Sequence, residues 1–598
     1  MKTFKLKTFN KLIHGVLITA ALLMFSFSCT KEPQFMRTGL QPADLVIVNA
    51  EVITCDDKNP QAEALAVKNG KITYVGGNDG IADFVGPETK VFNGRGRVLT
   101  PGFVDNHCHV LWIGALTSLM TTELFNCETA DEIKNVVLRH ASEHPDRLMV
   151  IAQGWKPHCI PEGTDQLKLL DSWISDRPVA LMSYHATGWV NSKMLALMQQ
   201  RNPDAFQRLV PDMSPDGKYN GLLRHFHAFN PLDFATLEEL GKDVKEGMFN
   251  AMTRVLNEAI SVGVTTMDDV QIYKSFVPII LEFRERGGLD KVRVRCGFYL
   301  PNTVLGDEEA LRKDLTWWKE LGETESDSRL VMGKSVKLYI DGVASNHTAL
   351  NFEPYADKPN AYGDSVWTQK GFDRVIEIVD SMKLQACTHC CGDAGINMVI
   401  NSYERAYKLH GQKFLRHRAD HCSRPVNKDI YRMAEVGVYA AMQPAHFFGD
   451  KTVENALGPA RLNSFQPWGT MEKAGVNLSF GSDWCAGPIN PVYGLIVANT
   501  RMNYKGNTDW GPEEKITLEN AIRHWTINSA NALFMEKEIG SIETGKYADF
   551  VLFNTSPLGV TSWWFFLTHE IDLGKLDDFV DLTVVRGNIV YQKKDAEF

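Results

Sequence analysis

Short runs of apolar residues recur along the chain, and their spacing predicts the fold before any single residue is considered. From Asp44 onwards, the runs are separated by turns rich in glycine and asparagine, which is typical of a small antiparallel β module. A similar pattern returns near the C-terminus, in residues 548–554 and 582–591. We therefore predict one small composite β-sandwich that both termini build together, from residues 44–98 and 535–598.

The middle of the chain alternates apolar strands with segments of helix length. The predicted strands are 98–109, 263–270, 292–300, 335–341, 385–390, 416–422, 438–443 and 476–483. Eight β/α repeats predict a (β/α)8 TIM barrel, and hence an α/β protein with its barrel in residues 99–534. The segment after the first strand is too long for one helix and contains strands of its own. We therefore predict a large α/β insertion at about 112–245, which could cover the barrel mouth.

The first 28 residues follow a different pattern. Four lysines precede an apolar run that ends near Phe27, and this is the arrangement of a secretory signal peptide. The run is rather short for a membrane-spanning helix. Its end resembles a bacterial lipobox, so we expect removal of residues 1–28, a lipid on Cys29 and a tether at 29–43. The alternatives are cleavage without lipid and an uncleaved N-terminal anchor.

Composition limits the partners more than it indicates a function. The chain is 44% hydrophobic and 23% charged, as in ordinary globular proteins, and its formal net charge of −10 does not predict nucleic-acid binding. The 11 cysteines have no regular spacing, and several lie in apolar strands, so we predict buried thiols and no disulfide. We expect an exported periplasmic or outer-membrane lipoprotein that contacts the membrane only through its lipid. The sequence leaves a homodimer open.

Residues that can bind a metal stand at the ends of several predicted barrel strands. His107 and His109 are two positions apart at the end of the first strand, so their side chains should point the same way. Two convergent imidazoles suit a transition metal, although an isolated pair is as readily two unrelated polar residues. The later strands carry or end in Lys337, His389, His421 and Asp483. Because the carboxyl ends of barrel strands meet at one face, the series predicts a metal centre at that face.

Motifs spread over residues 44–595 resemble those of the amidohydrolase superfamily, specifically the amidohydrolase family 3 group that includes N-substituted formamide deformylase. The matching stretches include Thr100-Pro-Gly-Phe-Val-Asp-Asn-His-Cys-His109, Gly263-Val-Thr-Thr, Lys337-Leu-Tyr-Ile-Asp-Gly342, His389-x-x-Gly-Asp393, Arg418-x-Asp-His421, Met442-Gln-Pro, Gly481-Ser-Asp-Trp484 and Gly540-Ser-Ile-Glu-x-Gly-Lys-x-Ala-Asp549. Together these motifs are specific for the family and say little about the substrate.

The resemblance implies a hydrolase that uses a metal-activated water to cut a carbon–nitrogen bond other than a peptide bond, in a small amide, N-acyl, N-formyl or cyclic amide substrate. It places at the metal site His107, His109, His389, His421 and Asp483, and adds Lys337 at a position where many relatives have a carboxylated lysine that bridges two metals. We expect a divalent metal, zinc by the ligand types, with iron and manganese as alternatives, and one or two ions per chain. Asp483 is expected to be the catalytic proton shuttle.

The stretches expected around the substrate depart from the family pattern, which predicts an unusual substrate. His225 and His347 stand where relatives often have other residues, and we expect both histidines, with Trp189, to contact the substrate. The alternatives are hydrogen-bonded loop histidines and a packed core aromatic. Two other functions remain open: a hydrolytic deaminase of an aminated ring on the same fold, and a non-catalytic ligand-binding lipoprotein.

Overall fold

The computed structural model describes most of the chain from Gln41 onwards. The described residues are 41–119, 124, 126–161, 163–183, 187–209, 211–214, 216–223, 229–447, 451–502, 510–554, 576 and 578–598. The predicted signal peptide, Cys29 and His225 lie outside these ranges. Within them, no helix combines the length and the hydrophobicity that crossing a bilayer requires.

The strands of the described residues form a barrel sheet and three smaller sheets. In chain order they are β1 Leu45–Val48, β2 Glu51–Ile53, β3 Gln61–Ala62, β4 Ala64–Lys68, β5 Lys71–Gly76, β6 Lys90–Asn93, β7 Val98–Pro101, β8 Phe103–Cys108, β9 Val150–Trp155, β10 Val179–Ser183, β11 Gly188–Val190, β12 Pro211–Met213, β13 Tyr219–Leu223, β14 Val264–Ile272, β15 Arg293–Tyr299, β16 Leu330–Tyr339, β17 Gln385–Cys390, β18 Arg418–His421, β19 Tyr439–Met442, β20 Asn477–Phe480, β21 Phe550–Phe553, β22 Val580–Val585 and β23 Asn588–Gln592.

The barrel sheet contains eight parallel strands in the order β8-β14-β15-β16-β17-β18-β19-β20. Each of the eight predicted strands is found, and the prediction of a (β/α)8 barrel is confirmed. Backbone hydrogen bonds join the first and last strand ends: the Asp483 amide donates to the His107 carbonyl at 2.7 Å, and the His109 amide donates to the Trp484 carbonyl at 2.8 Å. The sheet is therefore nearly closed at the end where the predicted metal ligands lie.

The opening strand is divided, which the sequence did not predict. β7 pairs with β2 and β21 in a terminal sheet, and β8 pairs with β14 in the barrel. Gly102 separates them, and a Cβ there would lie 2.3 Å from the Thr265 hydroxyl oxygen. Close packing at this glycine lets the chain pass directly from one sheet into the other, so one apolar run served two sheets.

The helices surround the barrel and connect its strands. In chain order they are α1 Trp112–Leu116, α2 Ala130–Glu143, α3 Gln166–Trp173, α4 Ser192–Arg201, α5 Pro203–Arg208, α6 Leu237–Leu240, α7 Val244–Ser261, α8 Val277–Glu285, α9 Glu308–Glu325, α10 Gln369–Ser381, α11 Asp393–His410, α12 Asn427–Val436, α13 Lys451–Leu457, α14 Pro459–Leu462, α15 Trp468–Lys473, α16 Pro491–Thr500, α17 Leu518–Trp525 and α18 Ile527–Ala532. In α10, Phe372, Val375, Ile376 and Val379 are buried, which is the helical spacing of a face that packs on the sheet.

Two further groups of strands flank the barrel. The six-stranded sheet β23-β22-β21-β7-β2-β3 joins strands from both ends of the chain, and β5-β4-β1-β6 is the four-stranded sheet of the N-terminal region. Their shared core includes Ile47, Leu99, Phe550 and Leu582, which come from both termini and are buried. The sheet β12-β13-β11-β10-β9 lies in sequence between β8 and β14, within the range predicted for the insertion.

Candidate metal centre

The predicted metal ligands that the structure describes stand together at the carboxyl ends of the barrel strands. His107 is in β8, His389 is in β17, and His421 is the last residue of β18. Lys337 lies in β16, His109 follows β8 by one residue, and Asp483 follows β20 by three. All except the partly buried His109 are less than a tenth exposed. The barrel thus brings six polar side chains into one buried cluster.

Asp483 is the centre of this cluster. Its Oδ1 lies 3.1 Å from His109 Nε2 and 3.6 Å from His107 Nε2. Its Oδ2 lies 3.8 Å from His421 Nδ1. One carboxylate therefore faces three imidazoles that come from two different strand ends of the barrel.

The donor set fits a divalent metal. His107, His421 and Asp483 each offer one ligand atom, and these atoms lie within 4.8 Å of one another. Two imidazoles and a carboxylate are usual ligands of zinc and of related transition metals. The His389 ring, whose centroid is 4.4 Å from that of His421, adds a further imidazole beside the set.

Hydrogen bonds from other protein groups hold one nitrogen of two of the rings. His421 Nδ1 lies 2.8 Å from Gln443 Oε1, and His389 Nε2 lies 3.1 Å from the Gly342 carbonyl oxygen. Such outer partners fix the orientation of a ligating imidazole and the tautomer it adopts. The second nitrogen of each of these two rings then carries the lone pair that a metal would use. Asp420 Oδ2 lies 3.1 Å from His107 Nδ1 without a hydrogen bond between them.

Burial keeps these imidazoles neutral. Loss of solvent, and secondarily the charge of Lys337, lowers the pKa of His107 to about 4 and that of His389 to about 3. Burial also lowers the pKa of His421 well below its usual value. Burial acts to raise the pKa of Asp483, but the hydrogen bond with His109 and the neighbouring rings outweigh it and hold that pKa well below its usual value. At neutral pH the cluster therefore combines neutral imidazoles with an ionised carboxylate.

The backbone turns sharply at two of the cluster residues. His421 and Asp483 have φ values of 66° and 53°, in the left-handed region that non-glycine residues seldom adopt. Before Asp483, a Cβ on Gly481 would lie 2.7 Å from the His107 amide nitrogen, so only glycine fits. The next residue, Ser482, donates from its amide and its hydroxyl to Asp105, at 2.9 and 2.5 Å. These contacts explain the Gly-Ser-Asp sequence. Gly481 permits the close approach of the two chain segments, and Ser482 and the Asp483 amide hydrogen-bond the end of β20 to β8.

Three residues near the cluster were not singled out from the sequence. His446 Nε2 lies 3.4 Å from Asp483 Oδ2, Gln443 holds His421, and the Asp420 carboxylate accepts a hydrogen bond from Lys337 Nζ at 2.7 Å. The sequence did contain a signal for Asp420. Arg418 and Asp420 occupy alternate positions of an apolar barrel strand, and charged side chains buried in this way must face other charged groups. Gln443 lies in the Met442-Gln-Pro motif, but nothing in that motif indicates that its side chain holds His421.

Asp341 supports the loop that follows His389. Its carboxylate accepts hydrogen bonds from the amides of Leu350, Cys391 and Gly392, at 2.8, 3.0 and 2.9 Å. Burial raises its pKa to about 7. A Cβ on Gly392 would lie 2.0 Å from the Leu350 carbonyl oxygen. The Gly of the His-x-x-Gly-Asp motif is therefore required by close packing between two loops.

The side chains predicted to contact substrate have other partners in the described part of the chain. Trp189 is fully buried in the inserted sheet, with its ring centroid 5.5 Å from that of Trp155. His347 Nε2 lies 2.9 Å from Asp357 Oδ1, and its ring packs against Tyr355. Core packing and a loop hydrogen bond are therefore the observed contacts of these two side chains, and their contact with substrate stays a prediction. His225 lies outside the described residues.

Comparison with known proteins agrees with this architecture. The sequence pattern of the "Amidohydrolase family" matches residues 90–591. The chain is 26% identical over 556 residues to "Putative amidohydrolase YtcJ" of Bacillus subtilis, covering 91% of this chain and 98% of that protein. It is 25% identical over 528 residues to "N-substituted formamide deformylase" of Arthrobacter pascens, covering 87% of this chain and 94% of the relative.

A solved structure shares the fold. An uncharacterized metal-dependent hydrolase from Pyrococcus horikoshii OT3 superposes with a TM-score of 0.65 at 20% identity, covering 86% of this chain and 98% of the other. At that identity the likeness concerns the fold alone. The family pattern, by contrast, extends over most of the sequence and includes every described residue of the cluster. The chain therefore belongs to the amidohydrolase family.

Proposed function

We propose that this protein is a metal-dependent hydrolase that cuts a carbon–nitrogen bond other than a peptide bond, in a small amide, N-acyl, N-formyl or cyclic amide substrate. The observation that carries the proposal is the convergence of His107, His421 and Asp483 within 4.8 Å at the barrel mouth. Family membership and the name of the formamide deformylase relative support the type of bond.

The residues of the cluster would serve two purposes, metal binding and proton transfer. The residues that would hold the metal are His107, His109, His389, His421 and Asp483. A bound divalent metal lowers the pKa of water and polarises a carbonyl group. Asp483, kept ionised among its imidazoles, would accept a proton on Oδ2 and pass it to the leaving nitrogen. Its hydrogen bond with His109 at 3.1 Å holds the carboxylate in one orientation during this transfer.

Zinc is our proposal for the metal, because neutral imidazoles with one carboxylate are its common ligands. The number of ions depends on Lys337. Its amine donates to Asp420 at 2.7 Å, and the ammonium form makes this an ion pair suited to a single ion. A carboxylated Lys337 would add negative charge beside that carboxylate and would need a second ion to balance it. Native mass spectrometry of the metal-loaded protein decides between the one-ion and the two-ion site, because only a protein with carboxylated Lys337 carries the mass of one extra carboxyl group.

Replacement of the shuttle tests the proposal. Asp483→Asn should keep the fold and much of the metal, and should lower kcat by about 10²–10⁴-fold through loss of the proton acceptor. Asp314→Asn, at an exposed carboxylate paired with Lys274, is the matched control and should leave kcat unchanged. Full activity in Asp483→Asn would overturn the assignment. The assay panel is N-formyl, N-acyl and cyclic amides, with metal content measured on each variant.

The same panel separates hydrolysis of an amide from deamination of a ring. An amide or N-formyl substrate yields a carboxylic acid, whereas an aminated ring yields ammonia and no acid. A wild-type protein that binds no metal at ordinary purity and hydrolyses nothing would instead favour a ligand-binding lipoprotein. No observation on the described residues favours either alternative over amide hydrolysis.

Export is part of the proposal. We propose that residues 1–28 are a signal peptide and that Cys29 carries a lipid, which would place the enzyme in the periplasm or on the outer membrane. The lipid would be the only membrane contact, and a homodimer is compatible with the proposal. The lysines before the apolar run and the small residue before Cys29 support this placement.

A further inference from the structure

A row of aromatic rings lines one half of the barrel mouth. Trp112 begins α1 shortly after β8, and Tyr273 follows β14 by one residue. Tyr299 and Tyr339 are the last residues of β15 and β16. In this order the consecutive ring centroids are 4.7, 5.2 and 6.0 Å apart, and the four strands are neighbours in the barrel. The row therefore lies at the same end of the barrel as the predicted metal ligands.

Tyr339 joins this aromatic row to the metal cluster. Its ring stacks on that of His389, with the centroids 4.9 Å apart and the planes at 29°. Lys337 Nζ lies 5.1 Å from the centroid of the same tyrosine ring. The three other rings of the row are buried, whereas Tyr339 is partly exposed. Tyr339 is thus the member of the row that has both a contact with the cluster and a surface that a ligand can reach.

Hydrogen bonds hold the Tyr339 ring in place. Its hydroxyl donates to Gln271 Oε1, and Gln271 Nε2 donates to the Tyr273 hydroxyl at 2.7 Å. The glutamine lies in β14, so it links two members of the row across the mouth of the barrel. A ring that is already held in one orientation loses little conformational freedom when a second ring packs against it.

Three charged side chains near the ends of β14 and β16 are paired within the protein. Asp269 accepts hydrogen bonds from two backbone amides that follow β8, at 2.7 and 3.1 Å. Lys337 Nζ donates to Asp420, and Lys274 Nζ donates to Asp314. A charged group of a ligand would meet aromatic rings and an amide here without a partner of opposite charge, which is unfavourable. An uncharged ring suits this half of the mouth.

We propose that the substrate carries an uncharged aromatic ring and that Tyr339 is the residue that selects it. The inference rests on the proposed amide hydrolysis, with the reacting bond at the metal cluster and the ring against Tyr339. Contact between aromatic rings favours a phenyl over a saturated ring of similar size by about 2–10-fold in binding. Because this contact is made equally before and during the reaction, the preference should appear in KM and leave kcat unchanged.

Matched substrates test the proposal on the full-length, metal-loaded protein. Two amides differ only in a phenyl or a cyclohexyl ring, and the pair is made once with the ring on the acyl side and once on the amine side. In at least one pair, the wild type should have a KM about 2–10-fold lower for the phenyl member. A phenyl ring that carries a carboxylate should bind more weakly than the plain ring. Equal KM values in both pairs would overturn the proposal, and equal or tighter binding of the charged ring would overturn its uncharged class.

Variants of Tyr339 show whether this residue makes the selection. Tyr339→Leu should abolish the ring preference, whereas Tyr339→Phe keeps the aromatic ring and should keep most of the preference. Tyr431→Leu, at a tyrosine of α12 that is 65% exposed, is the matched control and should leave the ratio of the two KM values unchanged. A preference that survives Tyr339→Leu would overturn the role of Tyr339.

Two controls keep the outcomes distinct. Both substrates are measured on the same preparation, so a partial loss of metal, caused by the contact of Tyr339 with His389, cancels in the ratio. If circular dichroism shows that Tyr339→Leu does not fold, Tyr339→Met, whose flexible apolar side chain fills similar space, takes its place. A metal-loaded wild type that hydrolyses no amide would overturn the proposed function together with this inference, whereas hydrolysis without a ring preference would overturn the inference alone.

Discussion

The buried imidazoles should keep their metal in acid that would strip an exposed histidine site. Protons compete with a metal only below the pKa of the free ligand, and burial lowers that pKa to about 4 for His107 and about 3 for His389. For His107, the difference between this lowered pKa and the ordinary pKa near 6.5 corresponds to about 3 kcal/mol. The experiment therefore lowers the pH of the metal-loaded protein stepwise from neutral to acid.

The expected magnitude follows from these values. At about pH 5, an ordinary histidine would weaken metal binding by about 2 kcal/mol, because it must first lose a proton. His107 and His389 are still neutral there, so proton competition at these two rings should change the apparent metal affinity by no more than a few-fold between about pH 7 and 5. Below about pH 4 both rings begin to take up protons, and the metal should be released with more than one proton per ion.

The assay measures retained metal after equilibration with a chelator at each pH, with circular dichroism on the same samples. Calorimetry at about pH 6 in two buffers of different ionisation enthalpy gives the number of protons released on binding, which should be close to zero for these ligands. Half-release of the metal at about pH 6.5 from a still-folded protein would refute the reasoning. Circular dichroism on the same samples distinguishes metal release from the folded protein from metal release that is caused by unfolding.

Two further predictions concern the loop packing and the N-terminus. Gly392→Ala places a Cβ 2.0 Å from a carbonyl oxygen and should lower the free energy of unfolding by about 1–3 kcal/mol in denaturant titrations, whereas Gly306→Ala, with open space around its Cβ, should have little effect. A Gly392→Ala variant as stable as the wild type would contradict the close-packing argument. Cys29→Ser should abolish the incorporation of labelled fatty acid into the expressed protein, and labelling that survives the change would contradict lipid attachment at Cys29.

The sequence by itself determined the architecture and the candidate ligands. The eight barrel strands could be predicted from hydrophobic runs, because a parallel strand that is buried on both faces needs apolar residues at consecutive positions. His107, His389, His421 and Asp483 were visible because they end such runs. What the sequence did not separate was β7 from β8, where two sheets share one apolar run and only the tight packing at Gly102 divides them.

Only the tertiary structure decided which side chains meet. Asp105 and Ser482 are 377 positions apart and hydrogen-bond because the barrel closes, and Asp420 meets Lys337 across 83 positions. Only the tertiary structure likewise shows that Trp189 is buried in the inserted sheet and packs against Trp155. The physical reason is common to these cases. Burial patterns are set by neighbours in the sequence, whereas hydrogen bonds and ion pairs between distant residues depend on strand order and closure, which no local pattern encodes.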